Sequence, residues 1–250
     1  MKPTKMLNVE ISAQSKSFIL DKILKNIEGR HEFIHVVSLN PENMVIAHQL
    51  KEFAKILSES SIQLIDGIGI RVGGFILGYN APNRISGSDF MEELLFQLRD
   101  RELSIVLLGG KGNIAEQLSD CYSKKYKKIS FYGSAGFSDI NNPLGSEIED
   151  FLRIITDRKP HILFVAYGSP AQEIFLDRFK SRLRGVVCMG VGGGFDFAVG
   201  KVRRAPHLFR KIGLEWFFRL MIQPWRIKRQ WRLALFLYLV LLQKIKYLFK

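Results

Sequence analysis

Apolar positions in this chain follow two alternating rhythms. Compact apolar runs recur at His31–Ser38, Ile62–Asp66, Leu103–Leu108, Lys128–Tyr132, His161–Tyr167 and Gly185–Met189. Each is closed by glycine, asparagine or aspartate, which marks a buried strand ending in a turn. A further short strand is expected at Leu7–Ile11. Between them the apolar spacing turns helical. Phe18, Ile19, Leu20, Ile23, Leu24 and Ile27 form one stripe over Ser17–Ile27, with Gly29 as its cap. Helices are also expected over Glu42–Leu57 after Asn40-Pro41, from Ser88-Asp89 through Leu98, after Gly112, over Gly145–Thr156, and after Gly168-Ser169-Pro170. In the last of these, Pro170 suits the first helical position, and Ser169 with Gln172 makes a capping box. After Asp66-Gly67-Ile68-Gly69 a broken segment is expected, up to the Asn83–Asp89 stretch that leads into the helix. Strands alternating with helices imply right-handed crossovers and a mostly parallel, Rossmann-like α/β sheet flanked by helices.

The pattern changes near Pro206. Beyond it, Leu208–Met221 and Arg226–Phe249 read as two helices separated by Gln223-Pro224. Charge changes at the same place. The whole chain carries +13, and residues 201–250 hold thirteen Lys/Arg against the single acid Glu215. The first 200 residues are therefore near neutral. All three tryptophans, Trp216, Trp225 and Trp231, also lie in this tail. The expected division is a Rossmann-like domain over 1–206 and a basic amphipathic appendage over 207–250.

Cations interleaved with tryptophan, leucine and phenylalanine suit a helix lying in an anionic membrane surface. An oligomer interface and a nucleic-acid patch are the other readings. Leu233–Leu242 is too apolar to face phosphates, and at ten residues it is too short to span a bilayer. Cys121 and Cys188 form neither a disulfide framework nor a zinc spacing, and the N-terminal residues lack the apolar core of a signal peptide. A cytoplasmic protein attached peripherally to a membrane is expected.

Candidate chemistry gathers at the strand ends. Asp66 closes a strand and precedes Gly67-Ile68-Gly69, a position that suits a general base and equally a turn cap. Ser38 and Asn40, at the end of a neighbouring strand, place polar groups in the same crevice, though Asn40 is also a good helix cap. Gly109-Gly110-Lys111-Gly112 resembles a phosphate turn, but it lacks both the dinucleotide fingerprint and the Walker lysine spacing. Gly190-Val191-Gly192-Gly193-Gly194 lets a ligand approach the backbone, and Asp196 behind it suits a ribose or base contact or a turn cap. The five histidines form no ligand cluster and Asp-x-Asp is absent, so no metal or other cofactor is expected. A leaving diphosphate would then rely on N–H groups and on cations such as Arg219, Arg226 and Arg229.

Taken in order, these pieces resemble the WecG/TagA/CpsF family of bacterial glycosyltransferases. The resemblance rests on Val37-Ser38-Leu39-Asn40-Pro41-Glu42, Asp66-Gly67-Ile68-Gly69, Arg84-Ile85-Ser86-Gly87-Ser88-Asp89 and Leu107-Leu108-Gly109-Gly110. It continues through Gly168-Ser169-Pro170-Ala171-Gln172-Glu173, Gly192-Gly193-Gly194-Phe195-Asp196, Arg204-Ala205-Pro206 and Gly213-Leu214-Glu215-Trp216 to the tail arginines. It implies inverting transfer from a UDP-sugar to a polyprenyl-diphosphate-linked sugar on the cytoplasmic membrane face. Sugars such as N-acetylmannosamine, its uronate or glucose are implied, for teichoic acid, capsule or exopolysaccharide. By the same resemblance Asp66 is the general base, with Ser38 where threonine is common. Asn40, Arg84, Gln172 and Asp196 are substrate contacts, Gly109, Gly110 and Gly193 line the pocket, and Arg219, Arg226 and Arg229 neutralise diphosphate. Two departures stand out: Ala171 occupies a position where the family usually has lysine, and Ser38 lacks a methyl group. The competing readings are a non-catalytic nucleotide-sugar-binding scaffold and, more distantly, a nicotinamide oxidoreductase. Self-association is left open.

Overall fold

The structure is a computed structural model that describes residues 4–12, 14–79, 84–202, 204–206, 209, 215–222 and 227–249, with backbone alone at 215, 216, 219 and 227–230. The chain opens with a hairpin, β1 (Thr4–Met6) and β2 (Val9–Ile11), where a single strand was expected. Leu7 and Asn8 take φ of 46° and 73°, the left-handed pair that closes a two-residue turn. There follow α1 (Lys16–Gly29), β3 (Ile34–Leu39), α2 (Pro41–Gln49), α3 (Lys51–Glu59), β4 (Ile62–Ile65), α4 (Ile68–Leu77), α5 (Gly87–Leu98) and β5 (Leu103–Gly109). Next come α6 (Ile114–Lys125), β6 (Ile129–Ser134), α7 (Gly145–Arg158), β7 (Ile162–Ala166), α8 (Ala171–Arg178), β8 (Val187–Gly190) and α9 (Gly194–Ala198). The last helices are α10 (Glu215–Ile222) and α11 (Ile227–Leu248).

Strands β3 to β8 form one parallel sheet in the order β4-β3-β8-β7-β5-β6. This is the expected Rossmann-like α/β architecture. Strand alternation divides its side chains between two layers. Val36, Ile62, Leu64, Ile105, Leu107 and Met189 point toward α1, α5, α6 and α9. On the opposite face, Val37, Leu39 and Ile65 pack under α2, α3 and α4, while Val106, Leu108 and Val165 pack under α7 and α8. The connection after β3 thus goes to one face, and that after the adjacent β8 to the other. Such a divergence opens a crevice at the carboxyl edge of a parallel sheet.

Two helices differ from expectation. The stretch 42–57 is broken at Leu50, whose φ of −114° and ψ of 101° are extended. The break re-aims the second half so that Phe53, Ala54, Ile56 and Leu57 all bury. The helix α4, from Ile68 to Leu77, runs through the stretch after Gly69 that was expected to be broken. Its glycines disfavour a helix in isolation, but they allow close packing. A methyl group on Gly69 would meet Pro41 and Leu233, and one on Gly73 would stand 2.9 Å from Phe236 Cζ.

That contact bears on the tail. Phe236 and Val240 of α11 are fully buried in one cluster with Met6, Val9, Leu39 and Ile70. Gln243 Oε1 accepts from Leu7 N–H at 3.0 Å, and its Nε2 donates to Lys5 O at 2.9 Å. Arg232 pairs with Glu42 of α2. The second half of the region beyond Pro206 is therefore built into the body rather than hung from it. Among the described residues, no helix is long and apolar enough to cross a membrane.

Phe236→Ala is accordingly expected to cost about 3–5 kcal/mol of folding stability, the usual range for emptying an aromatic core site. Denaturant unfolding of the two full-length proteins measures this. An unchanged midpoint would mean that α11 does not belong to the body's core.

Candidate active site

Parallel strands expose backbone and polar side chains at their carboxyl ends, and nearly every candidate residue of the body falls there. Ser38 and Asp66 lie on the same sheet face, since Ser38 pairs in register with Leu64, two residues before Asp66. Asp66 N–H donates to Leu39 O at 2.8 Å, which docks the start of the β4 turn onto β3. The Asp66 carboxylate accepts from Gly87 N–H, the first amide of α5, at 3.3 Å. Asp66 thus reaches across space to the helix of another segment. Ile85 N–H donates to Ile65 O at 2.9 Å, which lays the Arg84–Gly87 strip along the end of β4.

Gly87 fills the angle between the two polar side chains. A methyl group there would stand 2.8 Å from Ser38 Oγ and 3.8 Å from Asp66 Oδ2. Its hydrogen leaves a space where hydroxyl, carboxylate and a helix N terminus converge. Both Ser38 and Asp66 stay half-buried, open to the crevice on one side.

Asn40 is the N-cap of α2, its Oδ1 accepting from Asn43 N–H at 2.8 Å. The buried Asn43 then becomes a connector: its Nδ2 donates to Ser38 O at 2.8 Å and to Ser169 Oγ at 3.3 Å. Ser169 in turn donates to Glu173 Oε1 at 2.8 Å, the same oxygen that accepts from Gln172 Nε2 at 2.8 Å. Gln172 Oε1 accepts from Gly168 N–H at 3.0 Å and Gly192 N–H at 3.2 Å. The expected Ser169–Gln172 capping box is not formed. The helix starts at Ala171, with Pro170 one position earlier than expected, and Gln172 reaches back to Gly168 instead. Gln172 is only 3% exposed, with both ends of its amide engaged within the protein.

The glycine loops lie on either side of this network. Gly109 and Gly110 have φ of 92° and 88°, and a methyl on Gly109 would collide with the Tyr167 ring. Gly110 N–H donates to Ala166 O at 3.0 Å, tying the loop after β5 to β7. Gly193 is exposed, and Asp196 lies half-buried in the first turn of α9, its carbonyl accepting from Val202 N–H at 3.1 Å. Arg204 pairs with Asp89 at 3.0 Å and holds the segment after α9 against α5. Arg226 lies outside the described residues, as do the side chains of Arg219 and Arg229. Among the described residues, no three His, Cys, Asp or Glu side chains are grouped as metal ligands. A separate groove of about 240 Å³, lined by residues including Tyr132, Ser134, Glu147, Arg153 and Arg158, contains none of the candidate residues.

Asn43, Gly87 and Glu173 were not singled out from sequence. Gly87 and Glu173 lie within motifs read there, while Asn43 carried no signal beyond its place one turn after Asn40. Glu173 is 1% exposed, its Oε2 has no hydrogen-bond partner, and burial raises its carboxyl above the ordinary value.

A parallel sheet whose carboxyl edge carries a carboxylate, a hydroxyl and glycine loops at a switch point defines a doubly wound α/β enzyme. The sequence comparisons name its class. The profile described as the glycosyl transferase WecG/TagA/CpsF family matches residues 4–249, and the chain belongs to that family of glycosyltransferases. Two proteins named N-acetylglucosaminyldiphosphoundecaprenol N-acetyl-beta-D-mannosaminyltransferase are among its relatives. The one from Bacillus subtilis strain 168 is 32% identical over 78% of this chain and 73% of its own length. That from Staphylococcus aureus strain NCTC 8325 is 29% identical over 85% and 82%.

The raised Glu173 carboxyl has a signed consequence. Its neutral form is favoured more in the folded than the unfolded protein. The stability it contributes is complete below the ordinary value of 4.5 and is lost as pH rises through the folded value. Glu173→Gln, which keeps the accepting oxygen without the ionisation, should gain on the parent as pH rises from 4.5 to the folded value and hold that gain above it. Glu173→Ala should cost about 1–3 kcal/mol at all pH values by stranding Ser169 and Gln172. Urea midpoints from about pH 4 to about pH 8 test both. A Gln variant whose curve runs parallel to the parent's would contradict a neutral buried acid.

Proposed function

We propose that this glycosyltransferase moves a sugar from a UDP-sugar to a polyprenyl-diphosphate-linked sugar, with inversion at the anomeric carbon and Asp66 as general base. The observation that carries the reading is the meeting of Asp66 and Ser38 around the side-chain-free Gly87 at the carboxyl-edge crevice. The names of the relatives support the acceptor class, since they describe transfer of N-acetylmannosamine to an N-acetylglucosaminyl diphosphoundecaprenol.

The chemistry is a single displacement. Asp66 takes the proton of the acceptor hydroxyl as its oxygen attacks C1 of the donor sugar. The C1–oxygen bond to the diphosphate breaks on the opposite face, and UDP departs with the electron pair. Ser38 orients the acceptor hydroxyl next to the carboxylate, while Gly87 N–H fixes the carboxylate itself. The glycine loops after β5 and β8 offer close backbone approach to the donor, and Asp196 contacts its nucleoside. Arg219, Arg226 and Arg229 supply the positive charge that a departing diphosphate needs, and no metal or other cofactor is required in this scheme. The acceptor's lipid keeps the reaction at the cytoplasmic face of the membrane, where the basic tail meets anionic headgroups.

Asp66→Asn is expected to lower acceptor-dependent UDP release by about 10²- to 10⁴-fold, the usual worth of a positioned general base. UDP binding should persist. A panel of UDP-sugars with a lipid-diphosphate-sugar acceptor in detergent is the assay. Release that survives in the variant would remove Asp66 from the base role. UDP binding without release from any donor or acceptor would overturn the reading.

A further inference from the structure

The surface after Asp66 carries a feature that the chemistry above does not use. Helix α4 presents Ile68, Val72 and Phe75 to solvent at 40%, 41% and 81% exposure. Their spacing of four and three residues places them on one stripe of the helix. Elsewhere on the helix, Gly69 and Gly73 face α11, and Ile70 is buried against the sheet. An exposed phenylalanine flanked by two exposed aliphatics is thus an outward apolar ridge, not an unfilled core.

Helix α11 runs alongside in the same direction. Positions 69, 73 and 78 of the α4 segment meet Leu233, Phe236 and Lys244 in that order. Its own outward stripe carries Trp231, Tyr238, Leu241 and Ile245, exposed by 75%, 58%, 49% and 48%. Exposed Arg71 on α4 and Lys246 on α11 border the two stripes, within a chain whose last fifty residues are strongly cationic. Apolar ridges bordered by cations complement an anionic bilayer, with rings at the headgroup boundary and charges among phosphates.

We propose that α4 and α11 together form one docking face for an anionic lipid bilayer, with Phe75 as its inserted anchor. This rests on the lipid-linked acceptor proposed above and adds a consequence for it. Asp66 lies two residues before α4, and α4 is about 15 Å long. A helix held in the headgroup plane fixes the height of Asp66 at the level where an acceptor's diphosphate and first sugar emerge. The body itself, and not the basic tail alone, then sets the register between site and membrane.

The test uses the full chain and vesicles of phosphatidylglycerol mixed with phosphatidylcholine. Phe75→Ser should weaken vesicle partitioning about tenfold or more, since a phenylalanine ring is withdrawn from the interface. Phe75→Trp should restore it, and neither change should shift the melting temperature of so exposed a position. Unchanged partitioning of Phe75→Ser, or a parent that does not bind these vesicles, would overturn the proposal. So would a parent that is oligomeric without lipid and becomes monomeric on Phe75→Ser, because the face would then join two copies of the chain. Turnover separates the two readings. Phe75→Ser should match the parent with a short-chain soluble acceptor and fall behind with a long-chain acceptor in vesicles. A parent inactive on both acceptors would overturn the transferase reading, while the partitioning result would still decide the docking face.

Discussion

One buried side-chain amide holds the crevice together. The strands that form it end in loops of glycine and serine, which have little apolar surface of their own with which to fix a shape. Gln172 Oε1 accepts from both Gly168 and Gly192, so the loops after β7 and β8 share one anchor. Its nitrogen is held by Glu173, Glu173 holds Ser169, and Asn43 links Ser169 to the backbone of Ser38. A chain of this kind transmits position from the glycine loops to the hydroxyl beside Asp66. Buried polar groups in such networks specify one arrangement because every alternative strands a donor or acceptor out of water's reach.

A second constraint acts through α4, on the same face of the sheet as α2 and α8. Helix α4 starts directly after Asp66, and its glycines let Pro41, Leu233 and Phe236 approach its backbone. The turn that aims the carboxylate therefore takes its support from α2 and from the C-terminal helix. Tail and site are mechanically connected through α4, even though more than 150 residues separate Asp66 from Phe236 along the chain. The same packing turns the apolar surface of α4 and α11 outward, where hydrophobic area on a cationic background is suited to lipid.

The distribution of charge fits this division of labour. The body is near neutral, so the sheet and its layers carry no large field of their own. Positive charge is concentrated in the last fifty residues, where Arg232 is also drawn into a pair with Glu42. On the proposed function, the same cations serve a membrane surface and a diphosphate, because both ligands offer phosphate oxygens.

The sequence by itself determined the parallel sheet and the ends of its strands. Buried parallel strands must be apolar on both faces and must stop at turn residues, and both signals are local. That is why the sequence alone places Asp66, Ser38, Asn40 and the glycine loops at one edge. Tertiary structure alone decided what those residues touch. Asp66 caps α5, a helix that begins twenty-one residues later, and Asn43 reaches Ser169 across 126 positions. Neither contact leaves a periodic trace. Residues 68–77 showed the same limit: five glycines in and around a helix argue against it locally, and the close approach of Pro41 and α11 to Gly69 and Gly73 makes them favourable. The tail illustrates the converse. Its composition announced an amphipathic surface helix, but one apolar side of that helix closes the core. Which side does so depends on the shape of its partner, and local pattern carries no information about that.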